Sequence, residues 1–407
     1  MPLLPFETAL ELALSGLCPL GAERVPLSQA RGRVLAEDLA ATLTQPPFDA
    51  SAMDGYAVRA ADVAALPATL ALIGESAAGA RFGGIVEPGQ AVRIFTGAPI
   101  PDGADTVVIQ EDADTLGSSV VVKDAIAGRH IRPRGQDFLQ GDVLLTAGTR
   151  LGARALLLAA AMNHAELPVR RKPKVATLST GDEVVRPGSA LGPDQIVASV
   201  GYGIAALVEA HGGEAIDLGI APDDSDAIAT AIEGSAGADI LVTIGGASVG
   251  ERDLVTDALA RAGLQLDFGK VAIRPGKPVF SGRLVSGSGS ETKTRKVLGL
   301  PGNPVSALVC SVVILLPMLR ALLGQVGEDT ARDAVLEAPL AKNGPRQSYL
   351  RATSTFSADG KRHVQALPSQ DSSLMAALAK ADCLIVQAPD APALPQGASV
   401  KILLLPA

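Results

Sequence analysis

Residues 240–251 read Ile240-Leu241-Val242-Thr243-Ile244-Gly245-Gly246-Ala247-Ser248-Val249-Gly250-Glu251. Five uncharged residues, mostly aliphatic or β-branched, make a run of strand length, and the glycines end it. Such a run, bounded by turn residues, is the pattern of a strand buried on both faces. Helical spacing resumes over 253–262, so the stretch is one strand–loop–helix unit. The same alternation extends outward in both directions. Upstream lie a strand at Val175–Leu178, a helix at 196–211, a strand at Ala215–Leu218 and a helix at 224–234. Downstream come a strand pair around 270–283, a strand at Val297–Leu300 and a helix at 304–323. Strands alternating with helices predict βαβ crossovers and a doubly wound, parallel sheet covered by helices on both sides.

The flanks differ from this centre. Residues 7–17 and 28–39 have helical spacing, as does Ala153–Ala161. Between them, 42–140 holds short β-prone runs (Thr69–Ile73, Val92–Phe95, Thr106–Ile109, Val120–Val122) separated by Gly, Pro and Asp turns. A β-rich piece inserted into a helical unit built from 1–41 and 141–170 is the simplest reading. Beyond 330, short alternating runs (Tyr349–Thr355, His363–Leu367, Cys383–Val386, Val400–Leu404) predict a small terminal β-domain.

Composition excludes several classes. The 407 residues carry 35 Lys and Arg against 43 Asp and Glu, a net charge of −8, with 47% hydrophobic content, which is no disordered chain. With 3 Tyr, 8 Phe, no Trp and no long basic run, nucleic acid is not an expected partner. Three widely spaced cysteines make neither a disulfide framework nor a zinc site, and fit a reducing, cytoplasmic setting. Met1–Glu11 lacks the features of a signal peptide. Val305–Leu319, apolar but interrupted by Pro317, reads as a buried helix rather than a membrane span.

Ligands of a doubly wound sheet bind beyond the carboxyl ends of its strands. Three such ends suit an anion: Ser179-Thr180-Gly181-Asp182-Glu183, the Gly245–Glu251 loop, and Pro301-Gly302-Asn303-Pro304, where Asn303 can cap a helix that starts at Pro304. Glycines let backbone N–H groups come close to a ligand, and helix N-termini favour negative charge. Each loop alone is an ordinary tight turn; together they favour a phosphate-bearing ligand. Asp182, Glu183, Asp223, Asp224, Glu251 and Asp253 either cap helices or supply the oxygen-rich, His- and Cys-free ligation that suits Mg2+. Lys270, Arg274 and Lys277 make a cationic segment that is either a solvated strand end or an oxyanion site. The four histidines are scattered, and neither a dinucleotide fingerprint nor a P-loop is present.

Six stretches carry a resemblance over nearly the whole chain. They are Ser51-Ala52-Met53-Asp54-Gly55-Tyr56-Ala57, Thr96-Gly97-Ala98-Pro99, Ser179–Glu183, Gly245-Gly246-x-Ser248-Val249-Gly250, Pro275-Gly276-Lys277-Pro278 and Leu300–Ala307. In this order they resemble the molybdopterin molybdotransferase family of the MoeA type, whose eukaryotic relative is the gephyrin E domain. The resemblance implies four domains: 1–41 with 141–170, the insertion 42–140, a MogA-like molybdopterin-binding α/β domain at 171–325, and a small β-barrel at 330–407. It implies Mg2+-dependent insertion of molybdate into adenylylated molybdopterin with release of AMP, in a homodimer whose cleft combines the inserted domain of one subunit with the α/β domain of the other. A molybdopterin adenylyltransferase and molybdoenzyme maturation proteins are the implied partners, without nucleic acid or membrane. The rival readings are the adenylyltransferase itself, which shares the α/β domain, and a gephyrin-like scaffold.

Carried over motif by motif, the resemblance assigns the chemistry to Asp54, Thr96, Asp137, Glu183, Asp223, Asp253, Lys270 and Arg274. It assigns Mg2+ to Glu183, Asp223 and Asp253. Contacts to the pterin nucleotide fall to Ser179, Thr180, Gly181, Gly245, Gly246, Ser248, Gly250, Lys277, Pro301, Gly302, Asn303, Pro304, Arg351 and Ser372. Two departures stand out. Ala198-Ser199-Val200 replaces the family's common Asp-Ser/Thr-Asn, and Arg274 replaces the more usual Lys.

Overall fold

The computed structural model of the chain describes residues 3–246, 254–286, 293–326, 331–358 and 360–406. At its centre is a six-stranded sheet in the order Glu214–Ala221, Lys174–Thr180, Ile240–Ile244, Lys293–Leu300, Phe280–Ser286, Leu264–Phe268. The first four strands are parallel, and Phe280–Ser286 pairs antiparallel with both of its neighbours, Lys293–Leu300 and Leu264–Phe268. The expected doubly wound sheet is present, with an antiparallel edge. The strand pair expected around 270–283 lies instead at 264–268 and 280–286. Residues 270–279 between them leave the sheet as a loop.

Alternate residues of the central strand feed two cores. Ile240, Val242 and Ile244 face a core with helices Val200–Ala210 and Pro304–Leu323, whereas Leu241 faces helices Ser225–Gly234 and Leu254–Arg261. Helix Phe6–Leu14 joins the first core through Phe6, Ala9 and Ala13, far from its sequence neighbours. Pro304–Leu323 is long and apolar enough to cross a membrane, yet 72% of its most apolar window is buried inside the protein. It runs as two α segments joined by a π turn at Ser311–Leu315, just ahead of Pro317, whose missing N–H cannot continue the ladder.

A separate core unites 25–41 with 138–169 through Val25, Leu35, Phe138, Leu151 and Met162. The helix expected over 28–39 does not form. Only a single 3-10 turn, Leu27–Gln29, precedes Gly32 at φ +75°, and the chain then bridges Val34 to Arg150 and Leu35 to Val169. The apolar spacing there serves strand-like contacts to two segments.

Between these flanks a six-stranded sheet runs in the order Thr106–Ile109, Gly55–Val58, Gln90–Ile94, Ala68–Ser76, Ser119–Val122, Ala113–Leu116. At the C-terminal end Gln347–Phe356, Arg362–Ala366, Ala331–Leu336, Ser399–Leu404 and Cys383–Gln387 form a ring closed by pairing of the last strand with the first, a small barrel. Ile273–Arg274 pairs with Gln347 and Ser348, fastening the cationic segment to the barrel.

Candidate functional site

Two of the three expected strand-end loops share one cavity. Thr180, Gly181, Glu183, Asp223, Gly245, Gly246 and the first residues of helix Leu254–Arg261 line a cavity of about 170 Å³. Gly245 holds φ +90°, and a methyl there would sit 3.0 Å from the Thr180 carbonyl oxygen, so the two loops meet only because position 245 has no side chain. Its N–H donates to Leu300 O, and Gly302 packs beside its Cα, which brings the Pro301–Pro304 loop alongside. Asn303 occupies the cap position of the following helix without a side-chain cap bond, and Pro304 takes the first turn. Ser179 turns away, into a small cavity of about 80 Å³ shared with Ala198, Gly201 and Asp217. Ser248, Gly250 and Asp253 lie outside the described residues.

The acidic residues divide by role. Asp224 caps helix Ser225–Gly234, its carboxylate accepting from Asp226 N and Ala227 N. Asp223 does not cap: its N–H donates to Asp182 Oδ1 at 3.0 Å. Partial burial, and then the charges of Asp182 and Glu183, raise the Asp223 carboxyl above its ordinary value. Glu183 and Asp223, with Asp182 behind them, thus put repelling oxygen donors in one cavity. Nearby, the hydroxyl of Thr243 is fully buried with no partner among the described residues. Among the described residues no group of three or more metal-ligand side chains is assembled. The donor chemistry of Glu183 and Asp223 fits a hard cation, short of a complete shell.

The cationic segment is a loop closed by the Val271 N–H donating to Lys277 O at 3.1 Å. Lys270 is held by its own carbonyl, which accepts from Leu4 N. Arg274 and Lys277 are exposed, and none of the three pairs with a carboxylate among the described residues.

In the inserted sheet Asp54 and Thr96 come together. One carboxylate oxygen, Asp54 Oδ1, accepts from Thr96 N at 2.7 Å and from Thr96 Oγ1 at 2.8 Å. These two bonds, the backbone one foremost, hold the Asp54 carboxyl below its ordinary value. Gly55 is required because a side chain there would run into the Val108 carbonyl of the adjacent strand. Asp137 lines an open cleft of about 520 Å³ with Gln45, Phe48, Arg132, Gln136 and Gly97, the neighbour of Thr96. Arg132 was not among the expected site residues. Its signal was the Arg-x-Arg-Gly-Gln-Asp run ending at Asp137, in which charge alternates with turn residues.

Arg351 is placed differently from a ligand contact. It is 1% exposed, and its guanidinium donates to the carbonyls of Ser369, Asp371 and Leu374. It therefore holds the strap that carries Ser372, whose carbonyl accepts from Val305 N at the start of the helix behind the Pro301–Pro304 loop. Among the described residues the cleft lined by Asp137 and the cavity lined by Glu183 and Asp223 have no residue in common.

Residues 4–163 match the MoeA N-terminal region (domain I and II), 176–321 a probable molybdopterin binding domain, and 333–405 the MoeA C-terminal region (domain IV). A molybdopterin molybdenumtransferase from Haemophilus influenzae is 36% identical over 373 residues, 90% of each chain. One from Synechococcus elongatus is 40% identical over 337 residues, 80% of this chain and 82% of that one. Among solved structures, a molybdopterin biosynthesis MoeA protein from Pyrococcus horikoshii superposes with TM-score 0.84 at 27% identity, covering 99% of this chain and 100% of that one.

Proposed function

This chain belongs to the MoeA family of molybdopterin molybdenumtransferases, and from that membership we propose that it is a transferase of molybdenum cofactor biosynthesis that inserts molybdate into adenylylated molybdopterin with release of AMP, in the cytoplasm. The observation that carries this reading is the meeting of two glycine-bearing strand ends and two carboxylates in one cavity of the molybdopterin-binding domain, with the Gly302 loop packed alongside.

The loops at 180–181, 245–246 and 301–304 present backbone to the pterin nucleotide. Glycine at each loop lets N–H groups reach phosphate oxygens without a side chain between. Lys270, Arg274 and Lys277 supply unneutralised positive charge for molybdate, a dianion, so the local field rather than the net −8 governs its approach. Glu183 and Asp223 would hold Mg2+, which supplies charge neutralisation at the phosphoanhydride. Asp54, fixed by Thr96, stays ionised and presents Oδ2 to the substrate. Because the cleft of Asp137 and the cavity of Glu183 have no residue in common among the described residues, the reading places Asp54 and Asp137 opposite the α/β domain of a second copy, in a homodimer with two composite sites.

Subunit mixing tests both parts. Asp54→Asn and Asp223→Asn proteins should each lose molybdate-dependent AMP release. After subunit exchange, half the dimers are mixed and each has one intact site, so about a quarter of wild-type activity should return. Inactive mixtures of proteins shown to exchange would overturn the composite site. Undiminished AMP release in either single variant would overturn the role given to that residue.

A further inference from the structure

Asp54 immediately precedes strand Gly55–Val58 and Thr96 follows strand Gln90–Ile94, and a third residue, which bonds to neither, grips the chain beside both. Arg93 sits on strand Gln90–Ile94 directly opposite Tyr56. Its guanidinium carbon lies 5.1 Å from the centre of the Tyr56 ring and 5.0 Å from that of Phe95. In its own plane it donates from Nη2 to Gln110 Oε1 at 2.9 Å and from Nη1 to the Gly55 carbonyl at 3.3 Å. Gln110 returns to the same point, its backbone N–H donating to the Asp54 carbonyl at 3.1 Å. The Tyr56 hydroxyl is paired with Thr115 Oγ1 at 2.6 Å, so the ring under Arg93 is itself held. Gly55 and Tyr56 follow Asp54 in the chain, and Phe95 precedes Thr96. One planar cation therefore grips the residues flanking both members of the pair.

The geometry points to Arg93 as a positioning residue for the proposed reaction: it fixes the backbones beside Asp54 and Thr96 so that Thr96 saturates Oδ1 and Oδ2 faces the substrate. The proposal rests on the reading of Asp54 as a working group. It also explains the residue type. Stacking on two rings while donating in the plane requires a guanidinium fork, which the compact ammonium of lysine cannot replace. Phe95 follows the last residue of the strand and lies beside Arg93, so the run Arg93-Ile94-Phe95-Thr96 sets the grip and the gripped residue two and three positions apart.

A double-mutant cycle on the full chain tests it, with kcat and KM read from molybdate-dependent AMP release and folding from thermal melts. Arg93→Leu should lower kcat about tenfold to a hundredfold, the scale of a misplaced catalytic group, with KM changed by less than about twofold. Arg93→Lys should fall between. In an Asp54→Asn background Arg93→Leu should cost less than about threefold further, because residues acting through one group are not additive. Additive losses, or an unchanged kcat in Arg93→Leu, overturn the proposal. Full activity in Asp54→Asn alone overturns instead the reading of Asp54 on which it rests. Should Arg93→Leu not fold, Arg93→Lys and Gln110→Ala carry the same cycle, since each loosens the grip without emptying the space between the rings.

Discussion

Gly276 lies against the thiol of Cys310, with its backbone at φ +106° and the Ile273 side chain beside it. A methyl group at Gly276 would overlap Cys310 Sγ and stand 3.1 Å from Ile273 Cδ1. The loop carrying Lys270, Arg274 and Lys277 can therefore press onto helix Pro304–Cys310 only with glycine at its tip.

Gly276→Ala combines a strained backbone with an overpacked contact and should cost roughly 2–4 kcal/mol. Urea unfolding should show a lower midpoint with an unchanged slope. The same displacement moves the cations, so the apparent KM for molybdate should rise. Gly276→Ala with wild-type stability would contradict the packing described.

Arg351 should behave as a structural residue. Removing it takes the donor from three partly buried carbonyls, and Arg351→Met should lose about 2 kcal/mol. Ser372→Ala, which keeps the backbone carbonyl used by Val305, should change stability by less than about 0.5 kcal/mol. Chemical denaturation of the two variants side by side distinguishes a strap holder from a ligand contact.

Asp223 predicts a trade-off between stability and function. Its carboxyl is raised above 3.8 by partial burial, then by Asp182 and Glu183. The folded protein then binds that proton more tightly than the unfolded chain, so stability declines as pH rises from about 3.8 through the raised value. Asp223→Asn should raise the melting temperature at pH 7 in metal-free buffer. Added Mg2+ should stabilise the wild-type protein more than the variant. Equal responses to Mg2+ would remove Asp223 from the cation site.

The cysteines should report burial. Cys310 and Cys383 are buried, and burial pushes each thiol up to about 12, whereas Cys18 is exposed. At pH 8 an alkylating reagent should modify one thiol in the native protein and three after denaturation, counted by mass. The raised values also set a pH window. Between about 9, where these thiols ionise in the unfolded chain, and about 12, the native state keeps protons the unfolded state has lost, so stability should fall with rising pH.

Much of this was legible in the chain. The run Ile240–Ile244 ending in Gly245-Gly246 marked a buried central strand because only burial on both faces tolerates five such residues without a charge. The glycine-bearing strand ends marked the cavity, since a glycine at the carboxyl end of such a strand is where backbone must come close to something. The segment 28–39 misled because its apolar spacing serves contacts to Arg150 and Val169, which are distant in sequence. Arg351 misled because a charge suggests a ligand, and only packing shows that backbone carbonyls consume it.

The sequence by itself determined the alternation of strands and helices and the loops that can approach an anion, because each is a local property of residue type and spacing. Only the tertiary structure decided that Phe6–Leu14 packs in the α/β core, that Thr96 rather than a cation saturates Asp54 Oδ1, that Ser179 turns out of the cavity, and that Arg93 lies between Tyr56 and Phe95. Those outcomes depend on which distant segments share a volume, and a side chain's partner is set by the space left to it after the core has closed.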